Sequence, residues 1–76
     1  MKLTRGEFCQ FSLTARFDLL TEYGKNVMKR KVRMRMISVY EVFDFYVEVY
    51  ENLNSQQLEK VEPVRNNDII EAYESL

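Results

Sequence analysis

The start of the chain has the polar and apolar spacing of a short helix. Thr4 and Glu7 stand three residues apart, as in a capping box, and Phe8 and Phe11 follow them. In a capping box, each side chain accepts a hydrogen bond from the other residue's backbone N–H. We therefore predict a short first helix, and the pattern leaves open whether it continues into the next one.

A second helix is predicted after Ser12, whose hydroxyl can cap its first turn. Leu13, Phe17 and Leu20 recur at i, i+4 and i+7, so they share one face of that helix. Gly24 stands where a glycine commonly follows the last helical residue. We therefore expect the second helix to end just before this glycine.

From residue 25 onward the pattern changes to alternation with a period of two, which is typical of strands. Residues 33–36 alternate arginine with methionine, and residues 37–43 continue with β-branched and aromatic residues. As a strand, residues 33–36 turn their arginines to solvent and their methionines to the core. Residues 45–50 form the clearest strand, with one face toward the core. The residues expected to face the core are Phe45, Val47 and Val49, and those on the other face are Tyr46, Glu48 and Tyr50.

Turn residues separate the later strands. Asp44 predicts a turn before residues 45–50, and the Asn-Leu-Asn-Ser segment at residues 52–55 predicts another after them. Residues 58–62 are then the hairpin partner. Pro63 has no N–H to donate to a ladder, so the last strand lies at a sheet edge or ends there.

The last residues predict a closing helix. Residues 66–68 supply several N-cap side chains for a helix of about two to three turns. A helix this short is marginal alone in water, so we expect it to dock on the sheet or on another chain. Its apolar face comprises Ile69, Ile70, Tyr73 and Leu76.

Together these elements predict an α+β fold in a single small globular domain over residues 1–76. It has one or two N-terminal helices, an antiparallel meander of three or four strands and a short C-terminal helix, with the helices packed on one sheet face. No apolar run approaches the roughly 20 residues that span a bilayer. The first residues also lack the apolar core of a signal peptide. We therefore expect a cytoplasmic protein that has no membrane contact.

The composition restricts the chemistry that one chain can perform. His is absent and Cys occurs once, which excludes a disulfide framework, a Cys/His zinc site and His-based catalysis. The single Cys9 lies between Phe8 and Phe11, and we expect it to be a buried small apolar residue. We expect neither a cofactor nor a metal.

The carboxylates form no recognisable catalytic pair. Asp18 and Glu22 are four residues apart, but on the polar side of the second helix. Glu41, Asp44 and Glu48 converge only if the turn at Asp44 is tight. Two carboxylates without further ligands also make a poor metal site. We therefore interpret both sets as solvated surface and expect that the protein is not an enzyme.

The net charge of −1 conceals a strong asymmetry. Residues 25–35 carry six cations and no acid, whereas residues 36–76 carry nine acids and two cations. The basic segment could follow a phosphate backbone. Alternatively, it is the solvated face of a strand, with acids such as Glu41 or Glu48 across from it, and edge lysines also prevent sheet-to-sheet aggregation. The candidate nucleic-acid contacts are Lys29, Arg30, Lys31, Arg33 and Arg35.

Tyrosines on the outer face of the clearest strand are candidates for a protein interface, where tyrosine is enriched. A sheet with helices on one face needs a cover on the other, and for a chain this small a second copy is an economical one. The alternative is cross-strand packing with cover from the closing helix. The candidate interface residues are Tyr46, Glu48, Tyr50, Ile70, Tyr73 and Leu76.

Two functions follow from these surfaces. The first is a non-enzymatic protein-interaction or oligomerisation domain, whose partner is a second copy, in a homodimer, or another protein. The alternative is a nucleic-acid-associated regulator that uses the basic segment at residues 25–35. No motif in the sequence identifies the partner.

Overall fold

The structure is a computed structural model that describes residues 1–64. Two helices precede four strands, which form one antiparallel sheet in the order of the chain. The α+β fold and the meander are therefore confirmed. The predicted closing helix, with Ile70, Tyr73 and Leu76, lies outside the described residues. The elements are α1 Arg5–Cys9, α2 Leu13–Tyr23, β1 Lys25–Val32, β2 Arg35–Val42, β3 Phe45–Asn52 and β4 Gln57–Val64.

The first helix is held by its cap and by one aromatic side chain. The Thr4 hydroxyl accepts from the Glu7 N–H at 3.2 Å, and the Glu7 carboxylate accepts from the Thr4 N–H at 2.9 Å. Phe8 is buried and meets the Phe45 ring edge to face, with centroids 5.7 Å apart. Cys9 is exposed, so the prediction that it is buried was wrong. Neighbouring residues on a helix point about 100° apart, and Phe8 takes the inward direction.

The second helix starts and ends where the sequence predicts. The Ser12 hydroxyl accepts from the Ala15 N–H at 3.2 Å, and Leu20 is fully buried. Gly24 is extended, with φ −96° and ψ 170°, so it does not end the helix in a left-handed conformation. It is required for a close approach, because a Cβ here would lie 2.8 Å from the Leu20 carbonyl oxygen.

The helices cover one face of the sheet. α2 packs on β4 and β2, and α1 packs on β4. Directly opposed residues of antiparallel strands share a face, and the pairs Val42–Phe45 and Val49–Val61 place these side chains under the helices. The predicted inward set of β3 is therefore confirmed. The buried core comprises Phe8, Leu20, Val42, Phe45, Val47, Val49 and Val61.

The basic alternating run is interrupted by a chain reversal. β1 ends at Val32 and β2 begins at Arg35, so Arg33 and Met34 form the hairpin turn. Interpreting residues 33–36 as one strand was therefore wrong, and Met34 is exposed rather than in the core. Neither turn residue is Gly, Asn or Pro, so no turn signal breaks the alternation.

The backbone of Arg33 is strained. Its φ of 56° lies in the left-handed region, which costs a residue other than glycine roughly 1–2 kcal/mol. We expect Arg33→Gly to raise the free energy of unfolding by up to about 1 kcal/mol, because glycine removes this strain but loses more chain entropy. Thermal unfolding should show an increase in Tm, of about 4–8 °C if the full 1 kcal/mol is gained.

Met34→Gly is the control for this change. Met34 has no positive φ, so glycine removes no strain there and only adds entropy to the unfolded chain. We expect Met34→Gly to lower Tm. Equal shifts from the two variants would contradict the account of strain at Arg33.

The Arg16 side chain joins the helices to β4, the last strand of the sheet. The Arg16 guanidinium donates from Nη2 to the Cys9 carbonyl at 2.7 Å and from Nε to the Phe11 carbonyl at 3.0 Å. From Nη1 it donates to the Val61 carbonyl at 3.0 Å. Arg16 therefore fixes the connection between α1 and α2 against β4. The sequence gives no sign of this role, since the Val61 contact spans 45 residues.

Candidate functional site

The carboxylates considered as catalytic candidates are engaged separately. The Glu41 carboxylate accepts from the Tyr46 hydroxyl at 3.2 Å, Asp44 pairs with Lys2 at 3.5 Å, and Glu48 has its own lysine partner. Asp18 and Glu22 are exposed on α2, as expected. Within residues 1–64, no three His, Cys, Asp or Glu side chains are placed to hold a metal ion. The described acids therefore present no catalytic pair.

No helix among residues 1–64 is long and apolar enough to cross a bilayer.

The cavity of about 370 Å³ at the start of α1 is an open groove rather than an enclosed pocket. Its lining includes Arg5 and Asp44, and Asp44 is already paired with Lys2. As lined by the described residues, this groove therefore neither excludes water nor presents an unpaired acid, as an active site would.

The outer face of β3, which we call the tyrosine face, comprises Tyr46, Glu48 and Tyr50. All three side chains are half-buried. Two of them have polar partners within the sheet: the Tyr46 hydroxyl donates to the Glu41 carboxylate, and the Glu48 carboxylate lies 3.4 Å from Lys60 Nζ. The same Lys60 Nζ lies 4.9 Å from the Tyr50 ring centroid. The hydrogen bond to Glu41, together with its charge, raises the pKa of Tyr46.

The centre of this outer face is not open. Ile37 lies opposite Tyr50 and Val39 lies opposite Glu48 on the neighbouring strand, so both share the tyrosine face. Ile37 is buried and Val39 is 0% exposed. The structure therefore places the predicted interface residues Tyr46, Glu48 and Tyr50 together, with the Tyr46 hydroxyl and the Glu48 carboxylate already bonded within the sheet. Ile70, Tyr73 and Leu76 lie outside the described residues.

The basic segment is the most exposed part of the sheet. We call residues 25–34, which are β1 and its turn, the basic edge. Every side chain along it is exposed except that of Arg30, which is half-buried. Within the described part of the chain, no carboxylate lies within 4.0 Å of four of its cations. These cations are Lys25, Lys29, Lys31 and Arg33.

The acids expected to lie across from these cations only partly do so. Glu41 is opposite Lys25 in register, but its carboxylate accepts from a tyrosine and forms no ion pair among residues 1–64. Glu48 lies two strands away and pairs with Lys60. The exposed charge of the basic edge is therefore not neutralised by these acids.

Arg35, one of the five predicted nucleic-acid contacts, is paired with an acid. Its Nε lies 2.7 Å from the Glu59 carboxylate, which also accepts from the Asn52 amide at 3.3 Å. The hydrogen bond from Arg35, followed by that from Asn52, lowers the pKa of Glu59. Three other predicted contacts, Lys29, Lys31 and Arg33, lie on the exposed basic edge and have no such pair among residues 1–64.

The apolar side chains interleaved with the cations are exposed, which the sequence analysis did not predict. Four of them are between 36% and 51% exposed. The sequence did contain a signal of this exposure. The first strand of a four-stranded meander lies at the edge of the sheet and has a neighbouring strand along one of its two edges only. The exposed apolar residues of the basic edge are Val27, Met28, Val32 and Met34.

The two edges of the sheet differ. β4 contains Pro63, which cannot donate to a ladder. Both edge strands have a bulge, β4 at Glu59 and β1 at Val27. Its Val61 carbonyl is bonded by Arg16, and both helices pack on it. At the other edge, β1 pairs with β2 and has no other strand beside it among residues 1–64. The pairing edge of β1 is therefore the more accessible.

Comparisons with known proteins give no relative for this chain: no family model matches it, and no curated protein and no solved structure is similar to it.

Proposed function

We propose that this protein is a small, non-enzymatic protein-interaction domain and that the basic edge is its contact surface. The supporting observation is the open β1 edge, where exposed apolar side chains lie among the exposed cations Lys29, Lys31 and Arg33, which have no acid partner among residues 1–64. Apolar groups and unpaired charges together are typical of a surface that a partner covers. The exposed Cys9 thiol fits a reducing compartment such as the cytoplasm.

The mixed character of this surface favours a protein partner over a nucleic acid. Single-stranded nucleic acids bind largely through bases stacked on aromatic rings, and β1 contains no aromatic residue. The exposed valines and methionines offer nothing to a phosphate backbone but suit apolar side chains of a protein. Nucleic acid is the second candidate, because Lys29, Lys31 and Arg33 are exposed and have no acid partner within residues 1–64.

The nature of the partner also follows from charge. Pairing of β1 with β1 of a second copy would bring two cationic strands together, which is unfavourable. A homodimer through the tyrosine face is less favoured, because the Tyr46 hydroxyl and the Glu48 carboxylate are already bonded within the sheet. We therefore favour a different, acidic protein as the partner.

A pair of charge reversals tests the proposal. The probes are a labelled peptide with equal numbers of Glu and Val and an oligothymidylate of the same charge, both at about 150 mM salt. We expect Lys31→Glu to weaken peptide binding at least tenfold, which is about 1.4 kcal/mol, because it places an acid opposite acids. Fluorescence anisotropy gives the two dissociation constants.

Lys2→Glu is the matched control, because it makes the same charge change at the N terminus, where Lys2 pairs with Asp44. It should leave peptide affinity within about twofold of the unmodified protein. Equal effects of the two reversals would overturn the proposal. Tighter binding of the oligothymidylate than of the peptide, with a steep linear fall of log affinity with log salt, would establish the nucleic-acid alternative instead.

A further inference from the structure

We infer that the partner contributes an extended acidic segment that pairs with β1 and becomes a fifth strand of the sheet. This inference rests on the proposed function and adds how the partner is bound. In strand addition, backbone hydrogen bonds provide affinity and alternate side chains provide specificity. The open backbone edge of β1 can supply the hydrogen bonds, and its alternating side chains can supply the specificity.

The backbone of β1 is arranged to receive a strand. Residues 28–32 pair in unbroken register with β2, from Met28 opposite Val39 to Val32 opposite Arg35. Five residues is a common strand length. In an antiparallel pair, alternate residues direct their N–H and C=O groups away from the neighbouring strand. Residues 28–32 of β1 therefore present an unbroken row of such groups along the edge of the sheet that faces away from β2.

The side chains of β1 define the sequence that fits beside it. Lys29 and Lys31 lie on the helix side of the sheet, whereas Met28 and Val32 lie on the other side, with Arg30 between them. A strand added at this edge places its own residues directly opposite these five. The matching segment therefore has an apolar residue, an acid, a third residue of either kind, an acid and an apolar residue.

The same features exclude competing occupants. A second β1 would place cations opposite Lys29 and Lys31, and like charges directly opposite are destabilising. Apolar strands without acids leave these lysines uncompensated, which is how lysine protects edges from aggregation. The basic edge therefore selects an acidic strand and rejects copies of itself.

Four peptides test whether binding occurs by strand addition. The first, of about seven residues, contains the order valine, glutamate, serine, glutamate, valine at its centre. The second and third have the same sequence with N-methyl groups on alternate backbone nitrogens, one peptide for the odd positions and one for the even positions. The fourth has the same composition as the first with its acids grouped together. Comparing the first and fourth separates the effect of alternation from that of charge, and the N-methyl groups block backbone donors without changing the side chains.

We expect the first peptide to bind and to slow hydrogen exchange of alternate amides in residues 28–32 about tenfold or more, as measured by NMR. One of the two N-methylated peptides should bind about tenfold or more weakly than the first peptide, because its methyl groups replace the N–H donors that face β1. The peptide with grouped acids should bind more weakly than the first.

Two failures are distinguishable. If both N-methylated peptides bind as tightly as the first peptide and no alternate amides are protected, strand addition is wrong, while the basic edge remains the contact surface. If no peptide binds in a way that depends on Lys31, the proposed function itself is wrong.

Discussion

Phe8→Ala is expected to lower the free energy of unfolding by about 3–5 kcal/mol. Phe8 is the only buried residue of the five-residue helix α1, and its ring packs against Phe45 at 5.7 Å. A helix of this length has almost no stability alone, so α1 persists only through its packing. A domain of this size has about 5–15 kcal/mol in total, and Tm should fall by more than about 10 °C.

Phe11→Ala is the matched control, because it removes the same ring from a position that is exposed. We expect it to cost less than about 1 kcal/mol. Urea unfolding followed by circular dichroism measures both variants. If Phe8→Ala is no more destabilising than Phe11→Ala, α1 is not held by this side chain and the described core is wrong.

Arg16→Met should lower the free energy of unfolding by about 2–3 kcal/mol. The change keeps an unbranched, largely apolar stem but removes the guanidinium and its three hydrogen bonds to the Cys9, Phe11 and Val61 carbonyls. Hydrogen bonds from a charged donor contribute about 1.5–3 kcal/mol each, and their losses overlap because the exposed carbonyls regain water. The connection between α1 and α2 should then separate from β4.

Arg33→Met is the control for this prediction, since it makes the same substitution at an exposed turn residue with no carboxylate within 4.0 Å among residues 1–64. We expect it to change stability by less than about 0.5 kcal/mol. Arg16→Lys keeps the charge but cannot reach three diverging carbonyls, so it should retain little of the stabilisation. An Arg16→Met variant as stable as the original protein would contradict this role.

Elements set by local signals could be predicted from the sequence. The Thr4–Glu7 capping box and the Ser12 cap act within four residues, so their spacing alone locates both helices. The alternation of β3 assigns its inward residues because one face must be buried. Both kinds of signal depend on neighbouring residues, and both were confirmed.

Features that depend on distant parts of the chain could not be predicted. The reversal at Arg33 and Met34 falls inside an unbroken alternation, and only the pairing of β1 with β2 fixes its position. The contact of Arg16 with Val61 joins parts of the chain that no local pattern relates. The same holds for the basic edge, whose cations are visible in the sequence, while their exposure depends on the order of the strands.

The central claim, that the basic edge is the contact surface, is tested most directly by NMR mapping. The labelled protein is titrated at about 150 mM salt with the peptide that has valine, glutamate, serine, glutamate and valine at its centre. The chemical shifts of the backbone amides are followed. The account predicts shifts concentrated in residues 25–34, with β4 unchanged. Shifts on the tyrosine face at Tyr46 and Tyr50, with β1 unchanged, would contradict it.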